Sequence, residues 1–353
     1  MRSNKMIVVV SVTLALTTLS CNKNDQSDLS LKQAVDNGTA QLNNAMSDIT
    51  ASKAYGLLTL SDGGQKSAET ADPVYKTYIT LDKIKGVYNY TPVSTTDRWG
   101  VPLIRYFSKT ADDNLMIVKM PLKKVERPWT LRQILSSDAE LTNNFSISVS
   151  DYHNNYNGFH DYDYLLASEI SIDGSPAGKL NIKSVVSPDL GKDYTSQYVF
   201  TDGYTAEYKY LSGDPSLYTF AIKDNDKVLY EEKRETTKIT VSPFNREHTY
   251  TLTIGDFKIV RKSGSKDPEI YVNDVLQTEA VVEIIDREED EEASVCRKRD
   301  IQITFDDGST TTLSALIGES VEDIKTLFES LHEVYFAAYI VDWIAYDIYY
   351  QRN

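Results

Sequence analysis

Residues 145–200, FSISVSDYHNNYNGFHDYDYLLASEISIDGSPAGKLNIKSVVSPDLGKDYTSQYVF, decide the fold. Within them the runs FSISVSDY, FHDYDYLLASEISI, KLNIKSVV and SQYVFT are short, rich in β-branched and aromatic residues, and alternate apolar with polar at period two. Such runs form strands with one face buried. Asn157-Gly158 and Asp173-Gly174 separate them, and these dipeptides favour the tight turns of antiparallel hairpins.

Outward toward the C-terminus the same grammar continues through YTAEYKYL, LYTFAIK, KVLYEEK, HTYTLTI, FKIVRK, EIYVND, AVVEIID, RKRDIQITF and TTTLSAL, with turns at Asp202-Gly203, Asp224-Asn225-Asp226 and Asp307-Gly308. Toward the N-terminus YKTYITL, GVYNYTP, LIRYFS and LMIVKMPL are further strands, the last two joined as a hairpin through Asp112-Asp113-Asn114. No long helical pattern falls between strands, so meanders are expected and not βαβ units.

Both ends change period. Leu31, Val35, Leu42, Met46 and Ile49 recur at helical spacing, with Asp28 or Ser30 as cap and Asn37-Gly38 as a weak point. From Glu319, Val321, Ile324, Phe328, Leu331, Tyr335, Ala338, Val341, Ile344 and Ile348 keep one apolar face. A second stripe of His332, Phe336, Tyr339, Trp343, Tyr346 and Tyr350 lies beside it. One long C-terminal helix, apolar on two sides, is expected to pack on the sheet. Asp342 and Asp347 argue against its spanning a membrane. The expected class is α+β and mainly antiparallel β: an N-terminal helix, a large curved sheet or sandwich of many short strands, and that helix. A polar tether over 21–28 leads into residues 29–140, with a soft boundary near 140 before a main domain over 141–353.

The chain has 353 residues, 37 Lys+Arg against 52 Asp+Glu, and a formal charge of −15. This excess of acid excludes a nucleic-acid backbone as main partner, because that binding runs on clustered cations. Tyrosine is abundant at 24 residues, and cysteine is limited to Cys21 and Cys296. Residues 1–21, MRSNKMIVVVSVTLALTTLSC, place Arg2 and Lys5 before an apolar run from Met6 to Leu16 and a cysteine. That run is too short to cross a bilayer and has the form of an export signal. The arrangement resembles a bacterial lipoprotein signal of the Bacteroidota type, although Thr18 stands where leucine is usual. It implies cleavage after residue 20, lipid on Cys21, and an outer-membrane location on the periplasmic or outer side. An ordinary secreted protein cleaved near Ser20 is the alternative. Cys296 is then read as a small core residue.

No Gly-x-Ser-x-Gly elbow, phosphate loop or dinucleotide fingerprint occurs, and His332-Glu333 meets Phe336 where a zinc protease needs its second histidine. The acidic run 286–292 reads as a solvated loop. No metal or other cofactor is expected. One hairpin cluster is a candidate contact surface: Tyr152, His153, Tyr156, His160, Tyr162 and Tyr164, with rings for sugar or protein faces. His153 and His160 with Asp161 or Asp163 are the corresponding metal alternative. Phe336, Tyr339, Trp343 and Tyr346 are candidates for lining a cavity. The expected function is a non-enzymatic envelope protein binding a glycan or protein partner. A half-barrel carrier of a hydrophobic ligand is the alternative, and a hydrolase with paired carboxylates comes next.

Overall fold

The computed structural model describes residues 29–59, 76–91, 103–125, 141–158, 160–189, 191–238, 246–265, 267–286, 299–318, 320–332 and 335–352. Cys21, Cys296, residues 1–28 and most of the acidic run 286–292 lie outside them. Two helices open the chain, α1 (Leu31–Ala51) and α2 (Lys53–Thr59). The next segment holds β1 (Thr77–Thr80), the single turn α3 (Leu81–Ile84), β2 (Gly86–Tyr90), β3 (Phe107–Ala111), β4 (Met116–Met120) and the single turn α4 (Leu122–Val125).

A long meander follows. Its first strands are β5 (Phe145–Gly158), β6 (Asp161–Ile172), β7 (Ser175–Ser187), β8 (Gly191–Phe200), β9 (Tyr204–Leu211) and β10 (Ser216–Asp224). It continues as β11 (Lys227–Lys238), β12 (Arg246–Ile254), β13 (Phe257–Lys262), β14 (Glu269–Val272) and β15 (Val275–Leu276). A small sheet of β16 (Val281–Asp286), β17 (Arg299–Thr304) and β18 (Thr310–Thr312) precedes α5 (Leu313–Ile317), α6 (Ser320–His332) and α7 (Tyr335–Arg352).

The architecture is mostly antiparallel β with a few helices. From β5 to β15 every strand pairs with the next in sequence, and the order extends through β4, β2 and β3 into a single 15-stranded sheet. Strands on both sides of residue 140 belong to it. β5 is long enough to hold two partners on one edge, β4 along Phe145–Val149 and β1 along His153–Tyr156.

Three expectations are corrected. The hairpin expected between LIRYFS and LMIVKMPL is absent: β2 lies between β3 and β4, antiparallel to the first and parallel to the second, and Leu103–Tyr106 forms a 3-10 turn. Leu313–Ile317, read as the end of a strand, is helical because the Thr312 hydroxyl accepts from the Ala315 N–H and caps it. The single long C-terminal helix is not shown: the described residues hold two shorter helices, α6 and α7. The strands are also longer than expected, since two-residue turns such as Asp173-Gly174 let pairing run up to the bend.

Helices cover one face of the sheet. α1 starts with a capping box between Ser30 and Gln33 and buries Val35, Leu42, Met46 and Ile49, each contributing about 1.5–3 kcal/mol. Gly38 does not interrupt this helix. It is where α1 crosses the β12–β13 turn, and a Cβ there would sit 2.7 Å from the Ile254 carbonyl oxygen. α6 lies over β8 and β9, with Phe328 against Phe220 at 5.4 Å between ring centres. The opposite face carries solvated ion pairs such as Lys183–Asp193 and Lys179–Glu169, with Glu207 held by Lys209 and Lys223 at 2.9 Å each.

Candidate functional site

The two tyrosine-rich segments singled out in the sequence meet each other. Side chains alternate along β5 and β6, so Tyr152, Tyr156, Tyr162 and Tyr164 point to the helix-covered face while His153 and Asp163 point away. The open aromatic face expected there is therefore not what forms. Tyr152 and Tyr164 are buried beneath α7, and Tyr156 and Tyr162 are half-buried. Both buried hydroxyls donate to Asp342 Oδ1, from Tyr152 at 2.9 Å and from Tyr164 at 3.2 Å. As a whole residue Asp342 is half-buried, yet its carboxyl group is enclosed. Burial pushes that carboxyl up to about 7, against the pull of the two hydroxyls. Burial, and then the nearby Asp342 charge, hold the Tyr152 and Tyr164 hydroxyls protonated far above the usual tyrosine range.

The remaining candidates separate. His153 Nε2 lies 3.0 Å from Asp163 Oδ1 on the solvent face, while His160 is exposed at the turn. No group of three or more metal-ligating side chains occurs among the described residues. Tyr339 contacts Trp343 at 5.1 Å and Tyr346 stacks on Tyr350 at 6.2 Å. None of these four lines the clefts described next, and the Phe336 side chain lies outside the described residues. Asp347 accepts from the Ile104 N–H at 2.9 Å and ties α7 to the 3-10 turn. Both acids of α7 thus serve as internal fastenings. No helix among the described residues is long and apolar enough to cross a membrane.

An apolar concave feature lies elsewhere, between the large sheet and the small one. It is a cleft of about 550 Å³, within the usual range for small-ligand sites. Leu252, Ile259, Ile284 and Ile301 give it an aliphatic floor and roof, and Tyr218, Tyr250, Arg234 and Arg261 form its outer rung. Register makes that rung: Tyr218 faces Arg234, Arg234 faces Tyr250, and Tyr250 faces Arg261 across β10–β13. The Arg234 guanidinium lies 5.6 Å over the Tyr218 ring. Tyr250 is 44% exposed.

A second cleft of about 450 Å³ shares Glu232, Leu252 and Ile301 with the first and runs inward to Phe220, Ile317, Ile324 and Phe328. It holds two carboxylates, and both are engaged. Glu232 accepts from the Tyr230 hydroxyl, and Asp300 accepts from the Ser314 hydroxyl and, at 3.2 Å, its N–H, fastening β17 to α5. Sequence reading passed over this cleft because HTYTLTI and RKRDIQITF look like ordinary amphipathic strands. Arg234, Tyr250 and Arg261 become neighbours only through register, which one strand alone does not display.

No protein-family model, curated protein or solved structure matches the chain.

Proposed function

We propose that this is a non-catalytic, lipid-anchored binding protein of the bacterial outer membrane, carrying a hydrophobic small ligand in the cleft between its two sheets. The observation that carries the reading is the cleft's composition: four aliphatic side chains and two aromatic rings around a volume suited to one small molecule. Anchoring rests on Cys21 and its lipoprotein-like surroundings. Acyl chains on that residue would hold the body at the membrane, two or more being needed for stable attachment.

The test is native mass spectrometry of the protein released from its own membranes. Wild type should retain a bound small molecule, and Leu252→Arg, which fills the floor with a charged side chain, should lose it. An adduct unchanged by Leu252→Arg, or steady hydrolytic turnover without a retained ligand, would sink the reading. For the anchor, Cys21→Ala should leave the membrane fraction or persist as uncleaved precursor, without fatty-acid label. A glycan is the second reading, favoured by the exposed Tyr250 ring and by Glu232 as a partner for hydroxyls.

A further inference from the structure

We propose that the ligand is an amphiphile with one anionic headgroup, carboxylate or phosphate, gripped by Arg234 and Arg261 at the outer rung with its hydrocarbon tail running inward over Leu252 and Ile259. This rests on the reading of the cleft as a ligand site and names the chemistry it selects.

The charge pattern comes first. In a chain of net charge −15, several cations on the other sheet face are matched: Lys183 by Asp193, Lys209 and Lys223 by Glu207, Lys258 by Asp274. Arg234 and Arg261 differ. Both line the cleft, and neither has an ion-pair partner among the described residues. Their Cα atoms are two strand spacings apart, roughly 10 Å at about 4.8 Å per strand. Arginine side chains are long enough to converge from there on one anion above the Tyr250 ring between them. Guanidinium groups match the oxygens of carboxylate and phosphate, and such charge-assisted bonds are the strong ones. In the structure the Arg234 guanidinium lies over the Tyr218 ring on β10, the side away from Arg261, so it swings across toward Tyr250 when it shares one anion with Arg261.

The inner end argues for the tail. One residue pair inward from the rung the lining is Leu252 and Ile259 with Glu232 beside them, and the second cleft prolongs it to Phe220 and Phe328. Glu232 stands at the passage between the two. Its charge repels a headgroup that moves inward, so the ligand has one orientation.

The test uses the full-length Cys21→Ala chain, which has no acyl groups of its own to occupy the cleft. A fluorescent sixteen-carbon carboxylate is displaced by hexadecanoate, hexadecyl phosphate, hexadecanol or inorganic phosphate. Hexadecanoate and hexadecyl phosphate should displace it at concentrations about tenfold or more below hexadecanol, and whichever of the two is stronger identifies the headgroup. Inorganic phosphate alone should not displace it. The double variant Arg234→Gln/Arg261→Gln should remove the preference for the charged heads and leave hexadecanol within about twofold. A hexadecanol equal to the acids, a preference that survives the double variant, or displacement by inorganic phosphate alone would each overturn the inference. If no amphiphile binds but native mass spectrometry finds another ligand that Leu252→Arg removes, the inference falls and the cleft reading stands. If neither measurement finds a ligand, both fall.

Discussion

Asp342→Asn should make the protein more stable at neutral and alkaline pH and leave it nearly unchanged in acid. The Asp342 carboxyl stands at about 7 in the folded chain against an ordinary 3.8. Its contribution is therefore fully present below about pH 4 and is lost as pH rises toward 7, because the unfolded chain gives up the proton sooner. At roughly 1.4 kcal/mol for each pH unit of that gap, the ionised group costs the fold about 4 kcal/mol above pH 7. Asparagine keeps a carbonyl oxygen for the Tyr152 and Tyr164 hydroxyls and removes the ionisation. It gives back some hydrogen-bond strength, about 1 kcal/mol, because a neutral acceptor is weaker than a carboxylate. The expected gain at pH 8 is about 2–4 kcal/mol, against a change within about 1 kcal/mol at pH 4. Urea unfolding followed by tryptophan fluorescence from pH 4 to 8 measures it. Parallel stability curves for the two proteins, or a variant weaker than wild type at pH 8, would refute an enclosed carboxyl ionising against burial.

Three further outcomes are expected. Tyr152→Phe removes one of the two donors to Asp342, and should cost about 1–3 kcal/mol at pH 8 but less at pH 5, read from the same urea curves. For Glu207, burial alone would raise the carboxyl, but hydrogen bonds from Lys223 and Lys209 outweigh it and hold it below its ordinary 4.5. Glu207→Gln should cost about 1–2 kcal/mol at pH 7, with a deficit that shrinks as acid protonates the wild-type group through that range; a constant deficit from pH 3 to 7 would exclude the lysine contacts as its source. Gly38→Ala should destabilise by about 1–3 kcal/mol in spite of alanine's better helix propensity, since the new methyl meets the Ile254 backbone; a gain in thermal midpoint would show that α1 does not cross the β12–β13 turn so closely.

The meander was legible because its signals are local. Period-two alternation and turn dipeptides lie within ten residues of each other, and the run from 145 to 200 forms the expected meander, except that Asn157-Gly158 ends β5 and the chain reverses between Gly158 and Asp161. The order β4-β2-β3 was not legible, because turn residues at 112–114 suit any reversal and do not say which strand receives the next one. Tyr152 and Tyr164 looked like surface residues because tyrosine sits comfortably at a wet boundary or under cover. Which it meets depended on Asp342, 190 and 178 residues away. Asp342 itself was noticed for what it forbids in a membrane, and not for the two hydroxyls it receives. The arginine rung was invisible for a related reason: its members come from four strands.

The same separation bears on how the chain is made. Along β5–β15 neighbours in space are neighbours in sequence, so each hairpin can close over a short loop at small entropic cost, and assembly can follow synthesis strand by strand. α7 breaks that order. It emerges after every strand of the meander, and its partners on β5 and β6 are among the first of those strands to be finished. Until Asp342 arrives, two tyrosines destined for the interior stand bare on an otherwise complete hairpin. A chain ended anywhere before residue 342 keeps them so, and an unfinished copy is thereby chemically distinguishable from a finished one.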